Sequence, residues 1–253
     1  RGPLPPAFHY EWAKKALLAG KHVFLEKPST TSADDTKELV GIAGEKGLVV
    51  QENYMFQFHA QLKEIENLIA SGELGKLRLV RTSFGFPRRA EGDFRYVKEL
   101  GGGTMMDNGG YTIKLIDMLL GESMRLVSSQ LDYDEKTGID IFGTAEFVND
   151  DGVIAQAAFG MDCQYQCSLE LWGSRGRLTT GRIYTAPDGF KPVALVETGA
   201  GSRNVELPSC DAFEESIKMY LRAVEDERLR ESMAHELVRQ AEFVDDVRGM
   251  DRK

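Results

Sequence analysis

Two residues in this chain stand where a side chain could be held beside a reacting group. Lys27 lies between Glu26 and Pro28, at the end of the apolar run Val23-Phe24-Leu25. That run reads as a buried strand, and the proline disfavours the helical region for Lys27 and keeps it extended. The Lys-Pro bond can also be cis, which would aim the side chain sharply. A lysine fixed beside a cleft gives up a proton or lowers the pKa of a neighbouring acid; a strand-end lysine also simply snorkels to water. Tyr111 lies in Gly101-Gly102-Gly103-Thr104-Met105-Met106-Asp107-Asn108-Gly109-Gly110-Tyr111-Thr112-Ile113-Lys114. If this stretch is helical, Asp107, Tyr111 and Lys114 fall at i, i+4 and i+7 on one face. Met106, Ile113, Ile116 and Leu120 then form a core stripe on another face.

An acid, a phenol and an ammonium group on one helix face suit proton transfer, although a solvated polar face has the same pattern. Gly109 and Gly110 each cost about 1 kcal/mol relative to alanine in a helix. The pair therefore predicts the close approach of another backbone or a flat ligand. Asn108-Gly109 is also a hairpin signal, but its flanks do not alternate and residues 112–120 have helical period. Arg88-Arg89, with Arg95 nearby, could hold an anionic substrate or be a solvated loop.

The elements that must position these groups follow from periodicity. Residues 7–18 read as a helix, with Phe8, Trp12 and Ala16 every four residues and Ala13 and Leu17 widening the stripe; Gly20 ends it. Ser32 is a helix N-cap with Asp35 at the capping-box position, and Leu48-Val49-Val50 is a second buried strand leading to Gln51-Glu52-Asn53. Helix, strand, helix, strand with short links implies a parallel sheet with right-handed crossovers. Ligands of such sheets sit at the carboxyl ends of the strands, where Glu26-Lys27-Pro28 and Glu52-Asn53 lie. A third helix spans about 59–70. Strands are then expected at 126–131, 139–148, 153–159, 168–172 and 193–196, interrupted by a helix over 103–120 and followed by helices over 211–225 and 228–247.

The fold class expected is α/β: residues 1–54 as the remnant of a doubly wound Rossmann domain, and residues 55–253 as an α+β domain with an open, mostly antiparallel sheet. The chain has 253 residues, 42% hydrophobic, enough for a sizeable core. Net charge is −9, which argues against a nucleic-acid partner. No apolar run approaches the roughly 20 residues of a membrane-spanning helix. Cys163, Cys167 and Cys210 are odd in number and read as buried thiols of a reducing compartment, hence a cytoplasmic location. His9, His22, His59 and His235 have no metal-ligand spacing, so no metal is expected.

Phe8-His9-Tyr10-Glu11-Trp12-Ala13-Lys14-Lys15-Ala16-Leu17, Gly20-Lys21-His22-Val23 and Glu26-Lys27-Pro28 together resemble the Gfo/Idh/MocA oxidoreductase family. So does Gly101-Gly102-Gly103 leading into Asp107, Gly109 and Tyr111, in the tyrosine form seen in glucose–fructose oxidoreductase, dihydrodiol dehydrogenase and nucleotide-sugar 3-ketoreductases. The resemblance implies hydride transfer between NAD or NADP and a carbinol or ketone of a sugar, the sugar being nucleotide-activated in some members. Lys27 and Tyr111 would be the catalytic pair, and Asp107, Lys114 and Arg95 would bind substrate. Glu26, Lys27, Pro28 and Asn53 would face the cofactor, and the sheet would make a homo-oligomer.

Two features depart from the family. Pro6 stands where many members have an asparagine near the cofactor. The glycine fingerprint is also missing: Gly199-Ala200-Gly201 and Gly101-Gly102-Gly103 both fail as one. In the family that segment would precede Arg1, so the chain reads as a fragment or processed product, expected by itself to bind cofactor weakly or not at all. The competing expectation is a truncated, non-catalytic binding or assembly protein that uses the sheet interface.

Overall fold

The computed structural model describes residues 4–90 and 92–250. Helix α1 (His9–Leu18), entered through a 3-10 turn at Pro6–Phe8, leads to β1 (Val23–Leu25), α2 (Ala33–Glu45) and β2 (Val50–Glu52). The two strands are parallel, with Leu25 opposite Glu52. Gly20 (φ +74°) lets the chain leave α1 in the left-handed region. Ser32 accepts from the Asp35 N–H at 3.2 Å and caps α2. His9, Ala13 and Leu17 are the buried face of α1, whereas Phe8 and Trp12 are exposed. The periodicity located the helix, and the narrower Ala13/Leu17 pair is the core side, because it packs against Val23, Leu25, Leu39 and Val50.

Helix α3 (Ala60–Ala70) follows, capped by His59, whose Nδ1 accepts from the Gln61 N–H. An eight-stranded sheet then forms in the order β10-β9-β8-β7-β3-β6-β5-β4. Its strands are β3 (Leu77–Gly85), β4 (Arg125–Tyr133), β5 (Asp140–Val148), β6 (Ile154–Gly160), β7 (Gln166–Gly173), β8 (Gly176–Gly181), β9 (Val193–Thr198) and β10 (Gly201–Glu206). All pairings are antiparallel except β3 with β6, so the sheet is open and mostly antiparallel, as expected. On β3, Val80, Thr82 and Phe84 point into the core, and Arg81 points out. Gly199-Ala200-Gly201 sits at the β9–β10 hairpin.

One sheet face is covered by α4 (Gly110–Leu120) and by α6 (Glu227–Met250), which follows α5 (Ala212–Glu225). Helix α6 joins the two cores. Leu237 packs with the β1–β2 cluster and Val244 and Val247 with the sheet cluster. The Asp245 carboxylate accepts from Ala33 N–H at 2.7 Å, at the α2 N-terminus where the helix dipole favours an anion.

Candidate active site

Lys27 leaves β1 through a cis Lys27-Pro28 bond. Its Nζ donates to the Asp107 backbone oxygen at 2.5 Å and to Asp107 Oδ1 at 2.7 Å. It also stands 5.2 Å from the centroid of the Tyr111 ring. Arg95 Nε donates to Asp107 Oδ2 at 2.7 Å, and Arg95 Nη1 reaches Asp93. Asp107 thus clamps two cations. Burial disfavours its ionised form, but Lys27 and Arg95 outweigh that and hold the carboxyl below the usual carboxylate range.

The helix that carries Asp107 and Tyr111 begins with a π segment, Met105–Gly109, in which the Gly110 N–H bonds to Met105 O, before α4 proper. Close packing explains the glycines. A Cβ at Gly102 would lie 2.5 Å from Arg95 O, one at Gly103 2.2 Å from Asp140 Oδ1, and one at Gly110 2.0 Å from Tyr54 Oη. At Gly109 the intruders are Met105 and Phe159 side chains. The close approach predicted for the glycine pair is therefore made by core side chains rather than by a ligand. Asp140 Oδ2 accepts from Met105 N–H, and Asn108 Nδ2 donates to the carbonyls of Phe84 and Gly160, tying the segment to β3 and β6. Asn108-Gly109 is helical, and the hairpin alternative does not form.

Four aromatic rings surround Tyr111: Tyr54 at 4.8 Å between centroids, Phe84 at 5.2 Å, Phe56 at 5.6 Å and Tyr184 at 5.8 Å. They fix the ring plane and lower the local dielectric. Burial pushes the phenol well above its ordinary pKa, and Asp107, Glu26 and Glu52 push it further. The sequence-level expectation that Lys27 lowers this pKa is corrected. The ammonium group is spent on Asp107, and desolvation of the phenol dominates.

Glu26, Lys27, Pro28, Arg95 and Asp107 line one cavity of about 300 Å³, together with Pro6, Met106 and Gly101 to Gly103. It opens at the carboxyl end of β1 and has apolar walls with a few converging charges, which fits the flat nicotinamide end of a dinucleotide. Among the described residues none forms a glycine-rich cradle for the pyrophosphate.

Two expected site residues lie elsewhere. Lys114 is buried against Glu236 Oε2 on α6, 3.0 Å away, and lines a separate cavity of about 120 Å³. The π segment adds a residue to the turn between Asp107 and Lys114, so the i, i+7 alignment of a regular helix is lost. Asn53 is buried beneath α5, where its Oδ1 accepts from Ser216 Oγ at 3.0 Å. Adjacent residues at a strand end point to opposite sides, and Glu52 is the one on the Lys27 side. Arg88 pairs with Asp134 and stacks on Tyr96, while Arg89 stacks on Phe86. These two line a wider cavity of about 730 Å³, apart from Lys27.

Glu52, which the sequence places at a strand end without a role, is a further functional candidate. Its Oε1 accepts from the Ser29 N–H at 2.6 Å, and burial pushes its pKa up to about 7 against the pull of that bond, Lys114 and Lys27. The available signal was a carboxylate closing a fully buried strand, Val50–Glu52. Tyr54, Tyr184 and Gln240, which support Tyr111 and α4, carried no such signal.

A βα unit presenting a lysine at a strand end, joined to an open sheet whose covering helix presents an acid and a phenol, is the build of a nicotinamide-dependent oxidoreductase. Residues 3–54 match the family model described as oxidoreductase family, NAD-binding Rossmann fold, and residues 62–179 match the GFO/IDH/MocA C-terminal domain. Among curated proteins the chain is 38% identical to a dTDP-3,4-didehydro-2,6-dideoxy-alpha-D-glucose 3-reductase of Streptomyces violaceoruber, over 97% of this chain and 75% of that protein. It is 35% identical to the protein of that name from Actinomadura kijaniata, over 97% and 74%. The crystal structure of KijD10, a 3-ketoreductase from Actinomadura kijaniata in complex with NADP and TDP-benzene, superposes with a TM-score of 0.94 at 35% identity, covering 98% of this chain and 76% of that one. Solved variants of KijD10 are changed at a lysine and at a tyrosine 84 positions further on. The chain belongs to the GFO/IDH/MocA oxidoreductase family and is an NAD(P)-dependent enzyme.

Proposed function

We propose that this enzyme reduces a keto group of a sugar, in particular the 3-keto group of a nucleotide-activated deoxysugar, with Lys27 and Tyr111 as its catalytic pair. The observation that carries the reading is the Lys27–Asp107–Arg95 ion cluster, which lines one cavity, with the caged Tyr111 ring 5.2 Å behind the Lys27 ammonium. It is supported by the names of the curated relatives and by spacing: Lys27 and Tyr111 are also 84 positions apart. A constellation of this kind favours an enzyme over the non-catalytic binding protein that was the alternative.

The bound nicotinamide cofactor supplies the hydride, and Glu26, Lys27 and Pro28 would hold its nicotinamide end. As the carbonyl oxygen gains charge, the Lys27 ammonium stabilises it. Tyr111 then gives its phenolic proton to the nascent alkoxide. Burial and the surrounding carboxylates keep the phenol protonated, and an alkoxide is far more basic than a phenolate, so the transfer runs downhill. Asp107 and Arg95 orient the sugar hydroxyls and hold Lys27 in place.

We place the boundary between the cofactor and substrate domains near residue 54. We also propose self-association through the open sheet face, where Phe142, Ile154, Trp172 and Val193 are exposed around a row of charges that includes Arg81, Glu170 and Arg177; light scattering of the purified protein tests this. Among the described residues no helix is long and apolar enough to cross a membrane. The three free cysteines support a cytoplasmic location.

The test is single-turnover reduction of a dTDP-3-keto-deoxysugar by NADPH, followed by nicotinamide absorbance. Tyr111→Phe and Lys27→Met are each expected to slow the chemical step by roughly 10²–10⁴-fold. Rates within threefold of the unmodified enzyme for both variants would overturn the assignment.

A further inference from the structure

Glu52 is a buried carboxyl with no part in the chemistry assigned above, yet the structure builds it into the same centre. It ends β2 directly opposite Leu25, the last residue of β1. From there it accepts from the Ser29 N–H, two residues beyond Lys27. Ser29 is itself buried, and its hydroxyl continues to Thr36 on α2. The Glu52–Ser29 bond therefore braces the turn that aims Lys27.

Glu52 also lines two further spaces. One is the 120 Å³ cavity it shares with Lys114 and Glu236. The other is a small gap beside Tyr54, Gln240 and Asp245. The charged and titratable groups that face it are Lys27 from the β1 turn, Lys114 and Tyr111 from α4, Tyr54 from the segment after β2, and Glu236 and Asp245 from α6. Two lysines attract its negative charge, and burial opposes it. Gln51 Oε1 and Gln240 Oε1, which line these spaces, are buried without a partner among the described residues, so neither helps to hold the charge.

We propose that Glu52 is a positioning residue for the reduction: its carboxyl braces the turn that presents Lys27, and its charge acts on both Lys27 and Tyr111. The proposal rests on the Lys27–Tyr111 reading above. Its consequence is a pH response at neutrality. Protonated Glu52 still accepts from Ser29 and leaves Tyr111 a stronger acid. Ionised Glu52 adds an anion near the phenol, which holds the proton more tightly, so the reduction slows as Glu52 loses its proton near pH 7. A charge acting over a buried separation and partly expressed in the transition state gives a fall of roughly threefold to tenfold.

Two variants separate bracing from charge. Glu52→Gln keeps an acceptor for the Ser29 N–H but does not ionise, so the neutral-pH step in kcat should vanish while the rate on its acid side persists. Glu52→Ala loses the brace as well and should be slower at every pH. Infrared difference titration of the protein without cofactor gives a readout independent of turnover: a protonated-carboxyl band lost near neutrality, and absent in Glu52→Gln. A neutral-pH step that survives in Glu52→Gln overturns the proposal. So does a Glu52→Gln enzyme as slow as Glu52→Ala across the range, or a Glu52 band that titrates in the ordinary carboxylate range. Active Lys27→Met and Tyr111→Phe enzymes would bring down the catalytic pair itself, a failure visible without any Glu52 variant.

Discussion

The buried carboxyl of Glu52 makes a quantitative claim about stability that stands apart from catalysis. Burial raises its pKa from 4.5 to about 7. The folded state therefore binds its proton more tightly than the unfolded state. Between pH 4.5 and 7 the folded protein holds more protons, so stability falls as pH rises through that window, and the loss is complete above it. At about 1.4 kcal/mol for each pH unit, the ionised carboxylate removes about 3 kcal/mol at pH 8. Glu52→Gln resembles the protonated side chain in shape and keeps an acceptor towards Ser29. Its stability relative to the unmodified protein should rise by about 3 kcal/mol between pH 4 and pH 8. Urea unfolding at the two pH values measures this, with equal slopes against denaturant confirming that the same transition is compared. The pH dependence of every other group is common to both proteins and cancels. A relative stability that is the same at both pH values to about 0.5 kcal/mol, near the scatter expected for unrelated surface effects, would refute the reasoning.

Other outcomes follow from the same geometry. Gly110→Ala should cost about 1–3 kcal/mol, because its Cβ would lie 2.0 Å from Tyr54 Oη; pairing it with Tyr54→Phe should recover part of that loss in a double-mutant cycle. Asp107→Asn leaves Lys27 and Arg95 facing each other without a counter-charge, and thermal or urea unfolding should register a loss of about 2–4 kcal/mol, at the lower side of buried pairs because both cations keep some exposure. Lys114→Met should leave the acid-side reduction rate within threefold and move the neutral-pH step upward, since Lys114 helps to hold the Glu52 charge; stopped-flow rates across pH check both parts. Ser216→Ala strips Asn53 and Gln51 of their shared partner and should cost about 1–3 kcal/mol while leaving NADPH affinity, read by fluorescence titration, unchanged.

Local order was legible because it depends on neighbours in the chain. Ser32 with Asp35, Gly20 and the Val23-Phe24-Leu25 run specify a cap, a stop and a buried strand through interactions a few residues apart. Lys27 and Tyr111 could be singled out for the same reason: one ends a strand before a proline, the other lies among glycines in a helical period. The resemblance to the family extended this to the chemistry.

What lay beyond the sequence depended on which distant groups meet. Asp107 and Lys114 looked aligned in their helical spacing, but the π segment shifts that alignment and Glu236 on α6 holds Lys114. Asn53 and Glu52 looked equivalent at a strand end, until Ser216 claimed one and the Lys27 turn the other. The rise of the Tyr111 pKa needed four rings from β3, from the segment after β2 and from the loop after β8, together with an ammonium already committed to Asp107. The sequence by itself determined most of the elements and singled out Lys27 and Tyr111 as candidates, since period, capping and turn chemistry are short-range; the open sheet came with the resemblance to the family. Only the tertiary structure decided partners, burial and acidity, because desolvation and Coulomb interactions depend on distances in space between residues far apart in the chain.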